Sequence, residues 1–318
     1  MAAYVNRLLR HAFRIVRFVA AAFLAVTLGA TFTHADTANA ATQDKIIVSG
    51  ASGQLGGLVV KGLLAKGVPA KNLILVSRTP GTLQEYAKQG AVVRFGDFEK
   101  PESLAAAYAG GTRMLLISVG FSKTPRPEMH RRAIDAAKAA GVKQIAYTSW
   151  IALTKGDVSG LGADHSATEE ILKKSGVAYT FLRNSIYQDA VLASAAKMVA
   201  DGKVTAVPNE YKIGYVTRED CAAAAVAVLS TPGHDNKAYD ITGPELVGQA
   251  ELAAAASAVS GKPIQVVQPD PGAPLPRAFG GPAASVVSGD VQKLTGRAPT
   301  SIKAFLEANK PKLLGAKT

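Results

Sequence analysis

The 318-residue chain is 48% hydrophobic, carries 36 Lys and Arg against 24 Asp and Glu for a formal net charge of +12, and contains one cysteine. That is enough apolar material for a sizeable core, and a lone thiol excludes an internal disulfide and a cysteine-based metal site. The cations are scattered, with no basic run interleaved with aromatics. This argues against nucleic acid as a partner and favours a basic cleft for a small anionic ligand.

The first 17 residues carry Arg7, Arg10, Arg14 and Arg17 and no acid, residues 18–32 are apolar, and Ala38-Asn39-Ala40 offers a small-x-small cleavage site. This is the layout of a secretory signal peptide, and the apolar run is short for a membrane span. Residues 1–40 are therefore read as a signal that exports the body to the periplasm or tethers it to the membrane. Two other readings stand beside it: arginines on one helix face, as in an organelle transit peptide, and a start assigned too far upstream, which would make the protein cytoplasmic.

Residues 45–49 form a short apolar run that enters Gly50-Ala-Ser52-Gly53-Gln54-Leu55-Gly56, and a helical pattern leaves it. Strand, glycine turn and helix in this order make a phosphate-binding unit. Gly50 lets the chain turn sharply. Gly53 leaves room for the N–H groups of the Ser52–Leu55 segment to approach a pyrophosphate at the helix N-terminus. Gly56 lets the helix lie close on the strand. Further strands are expected at 71–77, 91–97, 113–118, 143–149 and 178–183, alternating with helices at 83–89, 103–109, 127–140 and 166–175. Continuous apolar strands between helices indicate an α/β fold, a doubly wound parallel sheet covered on both faces.

Beyond residue 185 the pattern loosens. Helices are expected at 190–201, after Asp220 (with Cys221 as a small core residue), at 249–260 and at 301–308. Strands are expected at 237–242 and 263–267, and residues 268–287 read as a Pro-, Gly- and Ala-rich loop. The organisation that follows is a dinucleotide-binding domain over 41–185 and a smaller α/β substrate-binding lobe over 186–318.

An acid at the end of the second strand would accept from a free ribose 2′-hydroxyl. This chain has Ser77-Arg78 there, and a guanidinium offers a fork of donors to a 2′-phosphate. NADPH is the expected cofactor, with NADH as the alternative. Asp97 ends the third strand, placed to face the adenine or to cap the next turn. Ser118 ends the fourth, beneath the nicotinamide ribose.

Several segments together resemble the NmrA-like atypical short-chain dehydrogenase/reductases, in particular the bacterial NAD(P)H:quinone oxidoreductases of the second type and the triphenylmethane-dye reductases. They are Gly50–Gly57, Arg78-Thr-Pro, residues 136–143, Tyr147-Thr-Ser149, Asp164-His165 with Thr168-Glu169, Leu182-Arg-Asn184, and Thr217-Arg218 with Asp220. The likeness covers roughly residues 45–310, apart from a shortened stretch near 268–287, and the N-terminal extension departs from it. It implies a Rossmann-like fold and hydride transfer from NAD(P)H to quinones or similar planar electrophiles, with no metal or flavin. It is also compatible with a homodimer, with membrane association through the N-terminus, and with an alternative function, an NADP(H)-sensing binding protein that turns nothing over.

None of the nine tyrosines has a lysine four residues on, so the superfamily's usual Tyr–Lys proton relay is missing. A quinone relaxes that demand, because its reduced oxyanion is a weak base and the protein chiefly has to hold two rings together. The catalytic candidates are His165, Ser149 and Tyr187. His165 has a near-neutral pKa by type, although Ser166-x-x-Glu169 is a capping box that would make it simply the residue before a helix. Ser149 stands where the superfamily's serine lies, with a strand-end hydrogen bond as its other reading. Tyr187 and Asn184 match the family loop that closes over nicotinamide and substrate. Trp150 reads equally as a stacking surface or as core.

Overall fold

The computed structural model describes residues 44–120, 122–269 and 281–316. The signal reading of 1–40 and most of the 268–287 loop lie outside the described residues. The strands are β1 (Ile46–Ser49), β2 (Leu73–Ser77), β3 (Val92–Phe95), β4 (Arg113–Leu116), β5 (Gln144–Trp150), β6 (Ala178–Asn184), β7 (Lys203–Thr205), β8 (Lys237–Ile241) and β9 (Gln265–Val267). Seven of them form one sheet in the order β3-β2-β1-β4-β5-β6-β8, with every neighbour parallel. β7 and β9 pair separately.

Strand alternation explains why both faces are covered. Ile46, Val48, Leu73 and Leu75 point to the side of α1 (Gln54–Ala65) and the alanine-rich helix over Arg218–Ser230. Ile47, Ile74, Val76, Met114, Leu116 and Tyr147 point to the other side. The short helix α2 (Gln84–Lys88) packs through Tyr86 on the α1 side, whereas this second side meets the short α3 (Leu104–Tyr108) near β3 and the longer α4 (Arg126–Ala139) and α5 (Leu161–Ser175). A third apolar cluster joins α6 (Asp189–Asp201), α8 (Gln249–Ser260) and α10 (Ile302–Ala308) to Ile151 and the flank of Trp150. Trp150 is thus partly a core residue.

Two expectations change. The division at residue 185 does not separate the sheet from the lobe: β8 is the seventh strand of the sheet, and α7 (Arg218–Ser230) covers it alongside α1. Gly62 of α1 permits that approach, since a Cβ there would meet Val226 Cγ2 at 2.8 Å. Strand pairing joins segments far apart in sequence, and nothing local in residues 237–242 names β6 as their neighbour. The helix expected at 166 begins instead at Leu161, after Gly160 at φ +50°. Ser166 therefore lies inside α5 and caps nothing, and His165 is a helix residue. Among the described residues no helix is long and apolar enough to cross a membrane.

The C-terminal segment is pinned by Asp220, which is fully buried. Its Oδ2 accepts from Thr217 Oγ1 at 2.7 Å and from the Thr300 backbone N–H at 2.8 Å, and Arg297 Nη1 lies 2.6 Å from Oδ1. Thr217 in turn caps α7 by accepting the Asp220 N–H. The short helices α9 (Asp290–Thr295) and α11 (Lys310–Leu313) flank this anchor and α10. Removing the carboxylate strands two donors and a cation, so Asp220→Ala should lower unfolding stability by roughly 2–4 kcal/mol, read as a shift in the denaturant midpoint.

Candidate active site

The strand order reverses between β1 and β4, and the crevice beyond their carboxyl ends is where an open α/β sheet takes a ligand. A cleft of about 340 Å³ lies there, lined by Gly50, Ser52, Gly53, Ser77, Arg78, Asp97, Glu99, Ser118, Val119 and Gly120 among others. Gly50 adopts φ +91°, and a Cβ on Gly56 would sit 2.2 Å from the Gly50 carbonyl oxygen. Glycine at 56 is therefore a steric requirement, and it sets α1 directly on the turn. No side chain caps this end of α1. The N–H groups of Gln54, Leu55 and Gly56 in its first turn are the ones an α-helix leaves unpaired. Gln54 is exposed, whereas the Leu55 side chain is buried in the core, so Leu55 offers only its backbone.

At the β2 end, Ser52 and Ser77 hydroxyls meet at 2.6 Å, and Ser77 Oγ accepts the Thr79 N–H at 2.9 Å. Arg78 projects beside these hydroxyls, exposed and without an ion-pair partner among the described residues. Asp97 lines the cleft and also holds the following turn, accepting the Glu99 N–H at 3.1 Å. Across the opening, Glu99 accepts from Ser122 Oγ and from Thr124 Oγ1.

The other candidates lie outside the walls of this cleft, around the ends of β5 and β6. Ser149 is buried and donates its only side-chain proton to Glu169 Oε1 at 2.7 Å. Glu169, also buried, is gripped by Arg183, with Nε 3.0 Å from Oε1 and Nη2 2.8 Å from Oε2. The geometry therefore gives Ser149 a structural hydrogen bond, with no proton left to offer a carbonyl. It also explains Glu169: the residue read as half of a capping box faces the strands. His165 is 7% exposed, and its Nδ1 lies 2.8 Å from the Tyr147 hydroxyl. Asn184 is buried, and its Oδ1 has no hydrogen-bond partner among the described residues. Burial pushes the Tyr187 phenol up, and the Arg218 guanidinium stacks 4.5 Å from its ring centroid.

A profile of the NAD(P)H-binding family matches residues 50–232. Quinone oxidoreductase 2 of Escherichia coli is 41% identical over 221 residues, covering 69% of this chain and 76% of that protein. The chain belongs to the NAD(P)H-binding, NmrA-like family. The NAD(P)H azoreductase of Xenophilus azovorans is 30% identical over 222 residues, 70% of this chain and 76% of that one. The crystal structure of Citrobacter sp. triphenylmethane reductase complexed with NADP(H) superposes with a TM-score of 0.74 and 34% identity, over 83% of this chain and 99% of that one.

The residues present fit the family's cofactor. The glycine turn forms a cradle that a Cβ would fill, the uncapped α1 terminus suits a diphosphate, and Arg78 with three neighbouring hydroxyls suits a further phosphate. Sequence reading had reached Gly50–Gly56, Arg78, Asp97 and Ser118. It missed Glu99 and Ser122, whose contact spans 23 positions and leaves no periodic trace. It also missed His130, which joins Tyr147 and Thr168, both noted only within the family-matching segments, in a buried cluster.

Burial is the main cause that holds His130 down at about 3 and His165 at about 4, and the nearby Arg126 cation adds to both. Both rings are neutral in the folded protein at neutral pH, so His165 is not a ready imidazolium donor. Unfolded histidines titrate near 6.5, so the unfolded chain takes up protons that the folded chain refuses. Stability is then lost as pH falls from about 6.5 toward the folded values, and is fully retained above. His130→Gln should remove one of these protons and flatten the stability-against-pH slope between pH 6 and 4 by about 1.4 kcal/mol per pH unit, measured by denaturant melts at each pH.

Proposed function

We propose that this protein reduces quinones or similar planar electrophiles at the expense of NADPH bound in the β1–β4 cleft. The observation that carries the reading is the glycine cradle at an uncapped helix N-terminus, with a free Arg78 among hydroxyls at the β2 end. The family relatives that act on quinones, azo compounds and triphenylmethane dyes, by their names, support the acceptor class. NADPH supplies the hydride when bound.

The chain's own groups do the rest. N–H groups of the Gly50–Gly56 turn hold the diphosphate, Arg78 with Ser52, Ser77 and Thr79 holds the 2′-phosphate, and Ser118–Gly120 supports the nicotinamide end. The buried Asn184 Oδ1 is an acceptor that awaits a donor, and with Tyr187 it closes the substrate side. His165 carries its hydrogen on Nε2 as a neutral imidazole, because its Nδ1 is occupied by Tyr147, and it can offer that hydrogen only as a hydrogen bond. Solvent supplies the proton, and a quinone needs no stronger acid. Ser149, committed to Glu169, takes no part in proton transfer.

The test uses protein lacking residues 1–40, with NADPH binding followed by its fluorescence and turnover by its absorbance. Oxidation well above the spontaneous rate on adding a benzoquinone is expected. Tight binding without turnover across quinones and dyes would favour the NADP(H)-sensing reading. Arg78→Ala should weaken NADPH binding about tenfold or more, the size of a charge-assisted contact, while leaving NADH nearly unchanged. Equal loss for both would remove the 2′-phosphate assignment.

The basic leader followed by an apolar run supports export, or tethering to a membrane, for the full chain. Expression in a bacterial host should yield a mature protein that begins after Ala40, read by intact mass. An uncleaved cytoplasmic product would favour a misassigned start.

A further inference from the structure

His130 of α4 is completely buried, and nothing in the chemistry above uses it. It stands behind the end of β4. That strand's ladder stops at Leu116, which faces Ser49 of β1 and Tyr147 of β5. The next residues run on into the cleft, and their N–H groups must find acceptors outside the sheet. The Ser118 N–H donates to Thr148 Oγ1 at 2.8 Å, and the Val119 N–H donates to His130 Nε2 at 3.1 Å.

The far side of the ring is equally engaged. His130 Nδ1 lies 2.9 Å from Thr168 Oγ1, whose own proton goes to the Asp164 carbonyl at 2.9 Å. Since Nε2 accepts, Nδ1 carries the hydrogen and donates to Thr168. The Tyr147 hydroxyl, 3.4 Å from His130 Nδ1 and 2.8 Å from His165 Nδ1, is thereby directed toward His165. One neutral imidazole thus joins the cleft floor on β4 to α5, the helix that carries His165.

We propose that His130 is a positioning residue for NADPH, holding the Ser118–Gly120 segment at a fixed height against the glycine turn by accepting the Val119 N–H. The proposal rests on the reading of the cleft as the NADPH site. Ile117, two residues before Val119, borders the glycine turn, its Cβ lying 3.4 Å from where a Cβ on Gly50 would stand. A displaced strand end would crowd that turn or widen the cleft. Packing alone does not call for this residue. The ring sits edge-on to Tyr147 and Phe98, with centroids 5.3 Å and 6.4 Å away, and an aromatic hydrocarbon would fill the same space. What an imidazole adds is an acceptor for β4 and a donor for α5 in one group.

The test compares His130→Phe, which keeps a ring and loses both nitrogens, with His130→Gln, whose carbonyl oxygen can reach the Nε2 position. In cofactor-free protein the Val119 amide should exchange about tenfold faster in His130→Phe, the size of one buried hydrogen bond, and NADPH should bind about tenfold more weakly. His130→Gln should restore both to within about threefold of wild type. Val119 protection and NADPH affinity that survive in His130→Phe would overturn the proposal. Should that variant fail to fold, the imidazole nitrogen resonances of the wild-type protein decide: protonated Nδ1 with an accepting Nε2 supports the proposal, and the opposite tautomer overturns it. Failure of the wild-type chain to bind NADPH at all would overturn the cofactor reading itself, a result distinct from binding that ignores His130.

Discussion

The contact between Gly56 and the Gly50 carbonyl is the constraint on which the site is built. Any side chain at 56 would enter the backbone of the turn, so α1 can rest on β1 only because that position has none. This approach aims an uncapped helix end, with its unpaired N–H groups and positive dipole, at the crevice where the strand order reverses. The anion site follows from the packing, and the packing from one missing Cβ.

The polar groups at the carboxyl ends of the strands fall into two kinds. At the cleft, Arg78 and the first turn of α1 have no internal partner among the described residues and are available to a ligand. Most of those facing the interior are consumed. Glu169 is a buried carboxylate held by a bidentate guanidinium and a serine hydroxyl. It ties β5, β6 and α5 together at a point where an unpaired charge would be costly. The same bond takes Ser149 out of proton chemistry. Together with the missing Tyr–Lys pair, this leaves a site arranged to hold two flat rings and a charged tail, with little acid–base apparatus. An easily reduced acceptor suits such a site.

The buried rings of His130, Tyr147 and His165 form a third arrangement, neither free nor merely packed. Burial keeps both imidazoles neutral, and a neutral imidazole accepts at one nitrogen and donates at the other. That two-sided character lets a single residue link the cofactor floor to a helix on the sheet's outer layer. The same burial makes the cluster a source of acid lability.

How much was legible in the chain follows from the range of each interaction. The alternation of apolar runs and helical patterns from Lys45 to Arg183 set the parallel sheet, because period and burial are local properties of a strand covered on both faces. Gly50, Gly53 and Gly56 marked the phosphate turn, because backbone conformation and close approach depend on the residue itself. Arg78 was visible by its place at a strand end. Only the tertiary structure decided that β8 pairs with β6, that Ser149 spends its proton on Glu169 and that His130 takes the Val119 N–H. Each of these joins groups separated by some ten to fifty positions or more, and their hydrogen-bonding capacity is spent by whichever partner the fold brings near. Sequence by itself determined the scaffold and the anion cradle, through local periodicity and sterics. Only the packed structure decided which polar groups are left over for chemistry, because a hydrogen bond is satisfied or left free by its neighbours in space.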